Sequence, residues 1–230
     1  DGMAKRKEKA GEQHATIAHG AEALPAVRVT SYNLELRDRN GFIGDQANKS
    51  AFRDAVDGWR EREREGGPDP LGDVPTDELT KKEIDAPLKD EQSEAAALVL
   101  AAIDDFAEAL AAILARYLKE EPWKGATKIA VGGGFRDSKA GLMAIAKAQL
   151  LLKADGRKVE LLPIAHHPDE AGLIGAVHLI PSWMLKGHDA ILAVDIGGTN
   201  IRAGIVKLNL DKKPDFSKAE VWKSELWRHA

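Results

Sequence analysis

Between residues 193 and 206 the chain reads Ala193-Val-Asp-Ile-Gly-Gly-Thr-Asn-Ile-Arg-Ala-Gly-Ile-Val206, and no other stretch limits its folding so tightly. Two apolar runs of strand composition, Ala190 to Ile196 and Ile201 to Leu208, flank a Gly-Gly pair and two short polar residues. That is the pattern of two strands returning on each other through a tight turn. Gly197 and Gly198 carry no side chain, so backbone N–H groups there can approach anionic oxygens, and Thr199 and Asn200 add a hydroxyl and an amide beside them. Asp195, one strand residue earlier, is placed to hold a hydrated magnesium ion that neutralises the same phosphates. The competing account is a plain hairpin in which the glycines serve positive φ and Asp195 caps the turn. A bare Gly-Gly pair favours that account, and the whole fourteen-residue pattern favours phosphate.

Upstream, secondary-structure signals alternate. Glu91 to Leu118 is rich in alanine and leucine without Gly or Pro and predicts one long, largely buried helix. Lys128 to Val131 reads as a strand running into the turn Gly132-Gly133-Gly134, with a helix over Ser138 to Lys153, a strand over Lys158 to Ile164 and a helix over Asp169 to Leu185. Strand and helix in alternation predict an α/β fold. Ala219 to Trp227 reads as a third strand beyond the hairpin. A glycine turn between strand and helix suits a planar base or ribose packed on bare backbone. A dinucleotide site needs Gly-x-Gly-x-x-Gly, and Asp137 stands where its third glycine would be, so a merely tight strand-to-helix turn is the competing account.

The first ninety residues carry weaker signals. Residues 1–25 form an irregular basic segment; residues 26–89 hold a hairpin, a helix and a Pro/Gly-rich stretch. Val27 to Phe42 alternates apolar and polar residues up to Arg39-Asn40-Gly41, the turn of a hairpin. Ser50 to Glu65 places Phe52, Val56 and Trp59 at helical spacing, and its charge run Arg60 to Glu65, like Lys5 to Lys9, reads as a solvated face. Pro, Gly and Asp crowd residues 66–75 and Pro87 follows, so Gly66 to Lys89 reads as a long loop or insertion.

Asp195-Ile-Gly-Gly-Thr-Asn resembles the first phosphate motif of the actin, sugar-kinase and heat-shock-chaperone superfamily, and within it is most similar to the ROK family of bacterial glucokinases and sugar-responsive repressors. The alanine-rich helix, Ile129-Ala-Val-Gly-Gly-Gly-Phe135 and Asp169-Glu-Ala-Gly-Leu-Ile-Gly-Ala176 resemble the closing segment of ROK proteins. The resemblance spans roughly Glu91 to Val206, about half the chain. It implies actin-like (ribonuclease H-like) α/β domains, here incomplete. Residues 90–186 would be the adenosine side and residues 187–230 the start of the phosphate-binding domain. It implies ATP and Mg2+ as cofactors, with Asp195, Gly197, Gly198, Thr199 and Asn200 at the phosphates, Asp195 at the metal, and Gly132, Gly133 and Gly134 against the adenosine.

ROK proteins carry these motifs in the opposite order. Circular permutation or fusion of two incomplete units accounts for the reversal. Only about fourteen residues and no flexible linker separate the two motifs, which favours permutation with the join over Pro181 to Asp189 and Trp183 buried at the seam. The family's catalytic aspartate in an Asn-Asp context and its Glu-x-Gly-His sugar motif are not found, and the absence of cysteine excludes its zinc site as well as disulfides. The chain therefore reads as the nucleotide-binding part of an ATP-dependent sugar kinase. The alternative is a non-catalytic sugar or nucleotide sensor, or an inactive fragment. An apolar last strand would then seek cover from a missing C-terminal half or a second copy.

A net charge of -4 with interspersed signs argues against a nucleic-acid or membrane footprint and points to small-molecule partners, nucleotide and sugar. Asp1 to Glu12 has no apolar stretch after it, and no window has eighteen uninterrupted apolar residues, so a cytoplasmic protein is expected. His166-His167-Pro168-Asp169-Glu170 groups histidines with carboxylates, but Pro168 and Asp169 read as a helix start with the histidines in the loop before it rather than as a metal site.

Overall fold

The computed structural model describes residues 34–39, 41–90, 92–197 and 200–228. The turn near Asn40 brings β1 (Arg37–Asp38) against β2 (Gly41–Phe42) in a short antiparallel ladder, while the expected strand residues 27–33 lie outside the described residues. Helix α1 (Lys49–Gly66) starts at Asn48, whose side chain accepts from the Ala51 amide at 2.9 Å. Phe52 and Val56 are buried on its inner face, as their spacing predicts.

Two readings of this region are corrected. Arg60 is not solvated: its side chain is fully buried, and Nε donates to Asp69 at 2.7 Å, Nη1 to the Thr76 hydroxyl at 2.8 Å, and Nη2 to the carbonyls of Gly72 and Val74 at 2.7 and 2.8 Å. Residues 67–80 are irregular, as expected of a loop, but Lys81–Asp85 and Pro87–Lys89 are helical. The chain wraps around this guanidinium and then forms α2 (Lys81–Asp85), entered through a capping box between Thr80 and Glu83. Leu79, Ile84 and Leu88 are buried against α1 and the next long helix.

Helix α3 (Glu94–Tyr117), capped by Ser93, is the expected long helix and is not split, an outcome the sequence leaves open. It packs between α1 and α4 (Lys139–Ala154), with Phe52, Phe106 and Phe135 forming an aromatic cluster. Strand β3 (Lys128–Val131), α4 and β4 (Glu160–Pro163) make a crossover unit whose strands pair in parallel from Lys128↔Glu160 to Val131↔Pro163. Ala111, Leu114, Ile145, Leu152 and Leu161 fill the space between this unit and α3.

Helix α5 (Pro168–Ala176) begins as expected, with Pro168 in its first turn and the His167 side chain accepting from the Asp169 amide at 3.2 Å. It does not continue to Leu185. A 3-10 turn covers Val177–Leu179, Ile180 is extended with ψ 134°, and another 3-10 turn follows at Ser182–Leu185. Pro181 explains the break, because its ring disfavours a helical conformation in the residue before it. Trp183, expected at a buried seam, is 69% exposed.

Strands β5 (Ala190–Ile196), β6 (Asn200–Lys207) and β7 (Glu220–Arg228) form an antiparallel sheet in that order. Helix α5 covers one face of it, burying Leu173, Ile174 and Val177 with Ala193, Val206, Leu208 and Phe216. This core runs across residue 186, so by packing α5 belongs with the strands that follow it. Alternation turns Leu192, Val194 and Ile196 to the other, open face. Taken together the described elements make a mixed α/β protein, and no described helix is long and apolar enough to cross a membrane.

Close packing of α5 on the sheet depends on Gly204. A Cβ there would lie 2.8 Å from Leu173 Cδ1 and 3.0 Å from both the Lys223 carbonyl and Ser224 Cβ. We expect Gly204→Ala to lose about 1–3 kcal/mol by overpacking. Urea unfolding should show a lower midpoint at unchanged slope, and wild-type stability in the variant would contradict this packing.

Candidate functional site

Asp195 stands next to last in β5, directly across from Arg202 on β6, with a third of its side chain exposed. Its carboxylate packs against α5 at Gly172, where a Cβ would overlap it. Arg202 donates from Nε and Nη2 to Asp169 Oδ1 at 3.0 and 2.7 Å, and its Nη1 lies 3.5 Å from Asp195 Oδ2. One guanidinium thus ties the hairpin to the first turn of α5, where the negative charge of Asp169 also suits the positive end of the helix dipole.

At the tip, the Gly197 amide donates to the Asn200 carbonyl at 2.9 Å and closes the hairpin. That amide, one of the predicted phosphate donors, is engaged inside the turn. Gly198 and Thr199, both predicted phosphate contacts, lie outside the described residues. A Cβ on Gly197 would meet nothing closer than the Asn200 carbonyl at 3.4 Å, so this position is sterically open.

At the second motif, Gly132 to Gly134 leave β3 in a bend that only glycine adopts readily, since Gly133 has φ +86°. The bend does not enter the helix directly. A 3-10 turn, Gly134–Asp137, intervenes before Ser138 caps α4 through its hydroxyl, and Gly141 is needed because a Cβ there would overlap the Phe135 carbonyl. From this turn Arg136 donates to the His166 carbonyl, and Asp137 lies 3.7 Å from the His167 ring.

The two predicted motifs are therefore joined through the start of α5. Contacts run from Arg136 and Asp137 to His166 and His167, and from Asp169 through Arg202 to Asp195. Counting outward from the four-residue turn would have placed Arg202 opposite Asp195 from sequence alone. Nothing in the sequence marks Gly172 as the residue that makes room for the Asp195 carboxylate.

Among the described residues, no group of three His, Cys, Asp or Glu side chains could hold a metal ion. A lone carboxylate still suits Mg2+, which keeps most of its waters and takes its remaining ligands from substrate phosphates. If Asp195 takes a magnesium ion, its single carboxylate calls for one that arrives with a polyphosphate. We expect MgCl2 alone to give no saturable heat on calorimetric titration up to millimolar concentration; micromolar binding without nucleotide would contradict this assignment.

Fold and site together define a mixed α/β protein in which a strand-turn-strand with one acidic residue is docked onto the start of a helix. Compared with family models, curated proteins and solved structures, the chain matches none of them.

Proposed function

We propose that the Asp195 hairpin and the glycine bend at Gly132 to Gly134 bind magnesium ATP in an actin-like domain of ROK type, and that the chain is the nucleotide-binding part of a sugar kinase. The observation that carries this reading is the bridge through α5. Motifs that the ROK resemblance assigns to the phosphate and adenosine ends of one nucleotide lie on either side of the same helix start, linked by Arg202, Asp169, His167 and Asp137. An antiparallel three-stranded sheet with an acidic residue at the end of its first strand, covered by the helix that precedes it, supports the permuted order as well.

When bound, Mg2+ would neutralise phosphate charge so that transfer is governed by positioning. Asp195 would hold the ion, the turn amides with Thr199 and Asn200 would meet phosphate oxygens, and the bare backbone of Gly132 to Gly134 would border the adenosine. Sugar recognition and the base that activates the sugar hydroxyl are not assigned to residues of this chain, so a non-catalytic sensor built on the same nucleotide site is the second functional reading.

One observation favours a purely structural role: Asp195 already lies beside Arg202 and against α5. Calorimetric titration separates the two. With Mg-ATP, Asp195→Ala should bind at least tenfold more weakly than wild type while keeping its circular dichroism. Equal affinity in both proteins, or no heat in either, would leave Asp195 as a structural tie only.

A further inference from the structure

A cavity lies away from the hairpin turn, where α1, α2 and the start of α4 meet. Its volume is about 190 Å³, and its lining combines Phe135 and the buried Phe52, Ile84 and Ala140 with the exposed Lys49 and Lys81. It shares no residue with the phosphate hairpin and touches the glycine bend only at Gly134. We propose that this cavity is a binding site for a small anion with a ring-sized apolar body, an aryl or similarly compact phosphate or carboxylate, and that it is distinct from the nucleotide site.

The chemistry of the lining selects that class. Neither Lys49 nor Lys81 has a hydrogen-bond or ion-pair partner among the described residues, so two ammonium groups of the lining are not engaged elsewhere there. Arg53 adds a third positive charge to the lining, although its Nη1 and Nη2 donate to the carbonyls of Thr76, Asp77 and Leu79. The one carboxylate present, Asp85, accepts from the amides of Lys139 and Ala140 at 2.8 and 2.9 Å, and its charge is thereby committed to the first turn of α4. Below the cations the surface is aromatic and aliphatic, with Phe52 and Phe135 4.6 Å apart between ring centres.

Size narrows the choice further. An engineered apolar cavity of roughly 150 Å³ accepts one benzene, whereas sites for drug-sized ligands start at about 300 Å³. At about 190 Å³ the cavity takes one six-membered ring with its anionic group held outward at the lysines, and it is too small to enclose a nucleotide. An anion in a partly desolvated pocket gains from both the charge and the apolar floor, so neither half of such a ligand should bind as well alone.

Phenyl phosphate is the direct probe, with inorganic phosphate and phenol as its two halves. Calorimetry should give one site for phenyl phosphate at least tenfold tighter than for either half. Lys49→Ala combined with Lys81→Ala, both on exposed positions, should weaken it at least tenfold, and the corresponding double arginine variant should restore it. Phenyl phosphate binding no better than inorganic phosphate, or equally well to the double alanine variant, would overturn the proposal. Saturating Mg-ATP should leave phenyl phosphate affinity unchanged, and Asp195→Ala should do the same. Displacement by Mg-ATP would overturn the claim of a distinct site by assigning the cavity to the nucleotide, while unaltered phenyl phosphate binding in a chain that ignores Mg-ATP would remove the kinase reading and leave this one standing.

Discussion

Arg60→Met will destabilise the protein by about 3–5 kcal/mol, the range for removing one member of a buried, hydrogen-bonded ion pair. Methionine can fill much of the volume but donates nothing. Asp69, 6% exposed, would lose its shortest ion-pair partner, and the carbonyls of Gly72 and Val74 and the Thr76 hydroxyl would lose theirs. Arg64, half exposed and 2.8 Å from the same carboxylate, offers only partial replacement. For a chain of this length the loss corresponds to a fall on the order of 10 °C in Tm. Residues 69–76 should become more open to proteolysis, because Asp69, Gly72, Val74 and Thr76 all bond to this guanidinium, whereas Arg53 still holds the carbonyls of Thr76, Asp77 and Leu79. An unchanged Tm would show that the segment is held by something else.

The same network has a pH signature. Burial pushes the Asp69 carboxyl up, but the Leu71 amide and the side chains of Arg60 and Arg64 outweigh it and hold the group below the ordinary aspartate range. A carboxylate lowered on folding stabilises the native state above its unfolded pKa and loses that contribution as pH falls through the folded one. The stability gap between wild type and Arg60→Met should therefore be full near neutrality and narrow as the pH falls below the usual aspartate pKa.

Gly172→Ala should weaken Mg-ATP binding at least tenfold without altering any residue of the hairpin. The added methyl would overlap the carboxylate of Asp195, which is too short to swing clear while Arg202 holds both Asp195 and Asp169. Either Asp195 is pushed off its position or α5 lifts from the sheet. Helix propensity predicts the opposite sign, since alanine favours a helix over glycine by about 1 kcal/mol. Gly175→Ala on the same helix is the control, because a Cβ there meets nothing within 4 Å. Nucleotide affinity unchanged in Gly172→Ala would mean that the position of Asp195 does not matter to binding.

Where burial follows a simple period, the sequence was a good guide to the fold. The apolar stripe of α1, the alanine-rich α3, the β3–α4–β4 unit and the β5–β6 hairpin fall within a few residues of expectation. The failures have two physical causes, tertiary compensation in one place and a local break in another. Arg60 lies four residues beyond Val56 on the inner stripe of α1, but as a charged residue in a charged run it gives no apolar signal, and only the backbone of residues 66–76 closing around it accounts for its burial. The helix expected over Asp169 to Leu185 shows continuous apolar content, but Pro181 acts on the residue before it and ends the run locally. On the hairpin, the positions of Asp195, Gly197 and Asn200 were legible from the strand-turn-strand pattern. The role of α5 was not, because its contact with Asp195 depends on the missing side chain of Gly172, and an absence of atoms leaves no mark in a hydropathy pattern.

The most direct measurement compares ATP affinity with magnesium and with EDTA, in wild type and in Asp195→Asn, which keeps the size of the side chain and removes its charge. If Asp195 holds the ion that accompanies the phosphates, wild type will bind ATP at least tenfold tighter with magnesium, and the asparagine variant will bind it equally under both conditions. Magnesium-independent binding by wild type, or a full magnesium gain in the variant, would contradict the account.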